Sequence, residues 1–90
     1  MDFNKYKWKA RLLVINTPTY KYKEYLLTKE IYQKYIKDFH KRFVKLVTKV
    51  NKNMDFNISL IGFDGKVKKK FKKLEYKKIF SLIDKMPLEN

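Results

Sequence analysis

Ninety residues, 44% of them hydrophobic and including seven Phe, seven Tyr and one Trp, are enough for one small core and one domain over residues 1–90. No cysteine is present, His40 is the sole histidine, and Gly62 and Gly65 are the only glycines. These counts exclude disulfides, thiol chemistry, Cys- or His-cluster metal sites and glycine-rich phosphate loops. The formal net charge of +14 points to anionic partners.

Tyr6 and Trp8, with Phe3, precede the first element, and this aromatic trio is expected to fold back and seal a sheet face. Ala10 to Asn16 is an apolar run without alternation, which predicts a central strand buried on both faces. Pro18 cannot donate to a ladder and holds Thr17 extended, so the strand ends there. A hydroxyl of the Thr17-Pro18-Thr19 loop is expected to cap the next helix.

That helix is predicted over Lys23 to His40. Tyr25, Tyr32, Ile36 and Phe39 recur on one side, widened by Ile31 and Tyr35, with Lys29, Glu30, Gln33, Lys34 and Lys37 opposite. His40 at its end suits a helix dipole rather than catalysis. Phe43 to Val50 then alternates, with Val44, Leu46 and Val50 on one face and Lys45 and Lys49 on the other. One solvated face argues for a strand near an edge.

Phe56 to Phe63 predicts a third strand, followed by Asp64-Gly65, a dipeptide that favours a two-residue type I′ hairpin with both residues at positive φ. Gly62 marks a bulge or a close approach. In the return strand Lys66 to Lys73, Val67 and Phe71 are expected to point one way and Lys66, Lys68, Lys70 and Lys72 the other. Glu75 to Met86 predicts a closing helix with Tyr76, Ile79, Phe80, Ile83 and Met86 as its buried stripe, stopped by Pro87. Asp84 lies at the unfavourable end of that helix dipole. It therefore calls for a specific partner: Lys85, Arg11 or backbone groups of the opening strand.

The order is β-α-β-β-β-α. The first strand–helix–strand unit implies a parallel crossover and the last hairpin an antiparallel pair. The expected fold class is α/β: a mixed four-stranded sheet with two helices, close to a reduced thioredoxin-like fold.

Two motifs support this. Leu60-Ile61-Gly62-Phe63-Asp64-Gly65-Lys66-Val67-Lys68 and Leu82-Ile83-Asp84-Lys85-Met86-Pro87 resemble the end of the P-DUDES family, peroxiredoxin-like domains of unknown function, which carries an IGxDGxVK hairpin and a terminal IDxMP. Trp8 through Arg11-Leu12-Leu13-Val14-Ile15 to Pro18 is similar to the family's opening strand. The resemblance implies a thioredoxin-like fold and no established activity. The chain departs from the pattern between its second and third strands, where Asn51 to Asp55 replaces a helical segment. Either the connection stretches over the first strand, or the two strands pair as a hairpin. It also lacks the Arg-rich residues that usually follow Met-Pro, ending instead at Leu88-Glu89-Asn90.

By the same resemblance, Thr17, Pro18 and Thr19 occupy the loop where a thioredoxin-like enzyme keeps its reactive cysteine. Without a thiolate there is no peroxide or disulfide chemistry, and a threonine needs a base that the surrounding sequence does not offer. No catalytic, cofactor-binding or metal-ligating residue is expected, and the chain is read as a non-enzyme. The candidate contact residues are Lys66, Lys68, Lys70 and Lys72, weighed against a merely solvated edge. All but Arg11 and Arg42 of the cations are Lys, hydrated point charges suited to sequence-independent contacts rather than bidentate recognition. The same lysine excess also fits simple compositional bias.

The expected function is a non-catalytic interaction or structural module that contacts an acidic protein surface or larger assembly. The alternative is non-specific binding to nucleic-acid phosphates, and a weaker third reading is an oxidoreductase relative that still holds a thiol ligand. No apolar run resembles a signal peptide or membrane span, so a soluble, intracellular chain is expected. The oligomeric state is left open.

Overall fold

The computed structural model describes residues 4–86. Strand β1 (Arg11–Thr17) is buried along its whole length, as an unalternating apolar run requires. It is followed by helix α1 (Lys23–Lys34), helix α2 (Ile36–Lys41), strands β2 (Val44–Val50), β3 (Asn57–Ile61) and β4 (Val67–Phe71), and helix α3 (Tyr76–Asp84). One turn of 3-10 helix, Asn4–Tyr6, precedes them. The strands lie in the order β2-β1-β3-β4, with β1 and β2 parallel and the other neighbours antiparallel. The fold is thus a mixed four-stranded α/β sheet with the expected element order.

β1 sits between β2 and β3, so the connection from Asn51 onward stretches over β1 and the two flanking strands do not pair. The backbone amide of Asn51 ties this crossing to the carbonyl of Thr17 at 3.0 Å. No helix forms within it.

The core lies on one side of the sheet. Leu13 and Ile15 from β1, Val44 from β2, Ile58 and Leu60 from β3, and Phe71 from β4 meet Tyr25, Tyr32, Phe39, Ile79 and Ile83 from the three helices. The other side carries a smaller cluster of Leu12, Val14 and Ile61, against which Tyr6 and Val47 pack. Tyr6 therefore helps to seal the sheet as expected. Trp8 does not, being 60% exposed. Phe3 lies outside the described residues.

Four expectations need correction. The helix predicted over Lys23 to His40 is two helices, broken at Tyr35 (φ −108°, ψ 28°). Neither Gly nor Pro causes the break. The Tyr35 ring stacks on Tyr76, with centroids 4.2 Å apart, and its hydroxyl donates to Tyr76 Oη at 3.0 Å. Docking on α3 thus overrides local helix propensity. Second, Tyr22 is the N-cap of α1, with no side-chain cap bond. The Thr19 hydroxyl instead accepts the Lys21 amide at 3.2 Å, closing a local turn.

Third, the hairpin is not a two-residue I′ turn, because only Gly65 has positive φ (80°). The Gly65 amide donates to the Gly62 carbonyl and the Gly62 amide to the Lys66 carbonyl. Phe63, Asp64 and Gly65 form a three-residue loop whose last member is left-handed, the arrangement of a G1-bulge hairpin. Fourth, the register slips: Leu60 faces Lys69, yet Ile61 faces Val67. Lys68 is the extra residue of a bulge in β4. Val67 consequently lies on the opposite face from Phe71 and is 52% exposed.

Two turns are closed by aromatic residues in the left-handed region, Trp8 (φ 66°) and Phe43 (φ 58°). Phe43 directly follows the C-cap of α2, where glycine is usual. Each residue costs roughly 1–2 kcal/mol of backbone strain.

Candidate functional site

The loop after β1 places Thr17 buried and Thr19 exposed. The Thr17 hydroxyl donates to the Thr19 carbonyl at 2.9 Å, and the Thr19 hydroxyl is occupied as an acceptor. Both hydroxyls serve the turn that Pro18 begins. Beside the loop, Asn16 Nδ2 donates to Asn57 Oδ1 at 2.9 Å, while Asn16 Oδ1 is buried without a partner.

Lys66, Lys68, Lys70 and Lys72 do not share one face, because the bulge breaks their alternation. Lys68 Nζ turns back to Asp64 Oδ2 at 2.8 Å, and the Lys66 amide caps the same carboxylate at 3.0 Å. These two bonds hold the Asp64 carboxyl below its ordinary value, the Lys68 bond most of all. Lys70 faces Ser59, and Lys72 lies beyond the end of β4.

A different arrangement forms on the other face. Lys69, two residues from Phe71 and paired with Leu60 in regular register, lies on the helix side of the sheet, beside α3. With Lys78 and Lys85 it borders a surface groove of about 270 Å³ whose apolar lining is Phe71 and Leu82, with the exposed Ser81 also lining it. Lys78 is paired with Glu75 at 2.9 Å. The chemistry available here is cation on an apolar floor: attraction for carboxylates, with area for an apolar side chain between them. Lys69 belonged to the visible lysine run, but Lys78 and Lys85 join it only through the packing of α3.

Asp84 finds its partner in Arg42, rather than in Lys85 or the opening strand. Arg42 Nε meets Asp84 Oδ1 at 2.8 Å and Nη2 meets Oδ2 at 2.9 Å, a two-pronged bond. Arg42 also lies over Phe80, 4.3 Å from its centroid, and donates to the Asp38 carbonyl. The Arg42 bond holds the Asp84 carboxyl below its ordinary value, with Lys41 and Arg11 assisting.

A carboxyl whose folded pKa is depressed contributes stability above its unfolded pKa, about 4, and loses it as the pH falls toward the folded value. Asp84→Asn should therefore lower the urea midpoint near pH 7 and flatten the acid limb below about pH 4. The two proteins should converge at the lowest pH. An unchanged midpoint near neutrality would show that the pair adds nothing.

Among the described residues no group of three His, Asp or Glu is placed to hold a metal ion. No helix there is long and apolar enough to cross a membrane.

Residues 46–90 match a family described as Domain of unknown function (DUF4174). The fold is similar to the crystal structure of reduced Plasmodium vivax 2-Cys peroxiredoxin, with a TM-score of 0.73 and 14% identity over 93% of this chain and 69% of that one. No curated protein sequence matches significantly. At this identity the likeness establishes the fold alone, which is thioredoxin-like.

Proposed function

The chain belongs to the DUF4174 family of domains of unknown function, and from that premise we propose a single, non-catalytic thioredoxin-like interaction module that docks on acidic protein surfaces. Within the family we assign it to the P-DUDES type, on its hairpin from Leu60 to Lys68 and its Ile83-Asp84-Lys85-Met86-Pro87 ending.

The observation that carries the docking role is the groove between β4 and α3, where Lys69, Lys78 and Lys85 surround an apolar floor. Lysine there supplies long-range attraction without directional demands, and the floor supplies affinity at contact. Both arginines are engaged within the fold, Arg11 with the Arg42 carbonyl and Arg42 with Asp84. Neither is spare for bidentate phosphate recognition, so a carboxylate-bearing partner is favoured over nucleic acid. A non-catalytic role fits a cysteine-free chain whose loop hydroxyls are spent on their own turn.

Titration with labelled polyglutamate should give binding that weakens steeply with salt. Reversing Lys69→Glu and Lys85→Glu together should weaken it about tenfold, or ~0.7 kcal/mol per reversed residue. Duplex DNA binding more tightly than polyglutamate, with the double reversal harmless to polyglutamate, would replace this reading with the nucleic-acid one. Turnover of peroxide or a disulfide substrate by the pure protein would end the non-catalytic assignment.

A further inference from the structure

Trp8, Lys9, Phe43 and Phe63 line a second cavity, again of about 270 Å³, beside the start of β1 and the end of β3. Its walls are unusual. Trp8 and Phe43 are both 60% exposed, and among the described residues they are the only non-glycine positions with positive φ. An exposed bulky residue in that backbone region is a costly choice where glycine would serve, and such strain gathers at functional sites. The two turns are firmly held. The Trp8 amide donates to the Phe63 carbonyl at 2.7 Å, the Phe43 amide to the His40 carbonyl at 2.9 Å, and the Arg11 amide to the Phe43 carbonyl at 2.8 Å. The rings are therefore presented on pre-set backbone.

Charge decides what the cavity takes. Lys9 lines it, exposed Lys7 flanks Trp8 in sequence, and Lys45 lines the adjoining hollow with Lys9, His40 and Phe43. The nearby carboxylate, Asp64, is already paired with Lys68. A positive rim repels any cation from the three aromatic rings. Phe43 and Phe63 are tilted by 54° to one another, so these two do not offer a common plane for stacked bases.

We propose that this cavity receives a single apolar side chain from an acidic peptide segment, the carboxylates on either side of that anchor meeting Lys7, Lys9 and Lys45. The proposal rests on the acidic-partner reading above but uses a separate surface, so the two can fail separately. The volume suits one anchoring side chain and not a drug-sized ligand. A buried anchor ringed by weaker charged contacts is the usual energetic layout of a protein interface.

Trp8 is the only tryptophan, so its emission reports this cavity directly. The probes are a short peptide of alternating Glu and Asp with one central Leu, the same peptide with Ser at that position, and single-stranded oligothymidylate. The Leu peptide should shift Trp8 emission and bind at least about tenfold more tightly than the Ser peptide, as burial of one leucine implies. Phe43→Asn, which suits a left-handed backbone and so keeps the fold, should erase that preference. Lys69→Glu with Lys85→Glu should preserve it. Equal affinity for the two peptides overturns the proposal, even if both still bind through the lysine groove. Tighter binding of oligothymidylate with quenching of Trp8 overturns it in favour of nucleic acid.

Discussion

Phe39→Ala should destabilise the fold by about 3–5 kcal/mol, the usual cost of emptying a large aromatic site. Phe39 is 0% exposed. Its ring is 4.7 Å from that of Tyr32 on α1 and 4.7 Å from that of Phe80 on α3, so it joins all three helices at one point. The site cannot collapse easily. Tyr32 is pinned by its hydroxyl, which donates to the Val44 carbonyl at 3.0 Å, and Phe80 is held under the Arg42 guanidinium. A ninety-residue domain has a total stability of roughly 5–13 kcal/mol, so this one change removes a large share of it. Urea unfolding followed by circular dichroism should show the lowered midpoint, with a melting temperature down by more than about 10 °C. A loss below about 1 kcal/mol would mean that the helices reseal around the gap and that the core is far more plastic than its packing implies.

The features legible in the sequence are those written in local patterns. β1 could be read because its apolar run is long and ends at Thr17-Pro18, and β2 as a strand near an edge because Lys45 and Lys49 alternate with Val44, Leu46 and Val50. The closing helix could be read because Tyr76, Ile79, Phe80 and Ile83 fall on one stripe, and those residues do pack on the core. The β4 register was not legible. Between Val67 and Phe71 stand three consecutive lysines, which carry no pattern that could pin a strand to one face. One inserted residue moves every side chain beyond it to the other side. The candidate site inherited that error, since Lys66, Lys68, Lys70 and Lys72 were grouped by an alternation that the Lys68 bulge interrupts. The Arg42–Asp84 pair was missed for another reason: forty-two positions separate the partners, and only the docking of α3 on α2 brings them together. Trp8 and Phe43 carry no sign of a left-handed backbone, because the usual sign is a glycine and neither turn has one there.

Arg11→Met should stabilise the protein by about 1–2 kcal/mol, a change of the opposite sign to most core substitutions. Arg11 is 4% exposed on the helix side of the central strand, where its register partner is Val44. Its guanidinium makes one short hydrogen bond, from Nη1 to the Arg42 carbonyl at 2.8 Å, and lies 4.3 Å from the Phe63 centroid. Nε is buried without a partner. Burial lowers the basicity of the group, and the Asp84 charge restores part of it, but Asp84 spends both oxygens on Arg42. The favourable terms are one charge-assisted bond, about 1.5–3 kcal/mol, and a cation–π contact of about 1 kcal/mol. Against them stand several kcal/mol of desolvation and about 1–3 kcal/mol for the orphaned Nε. Methionine keeps the unbranched stem against Phe63 and removes both penalties. Arg11→Ala is the control, since it discards the stem as well and should fall below Arg11→Met by about 1–3 kcal/mol. Arginine stays protonated throughout the accessible range, so the gain should be nearly independent of pH above about 5, where Asp84 is ionised in both proteins. If Arg11→Met instead proves more than about 1 kcal/mol less stable than the parent, the guanidinium is better satisfied than its single hydrogen bond indicates.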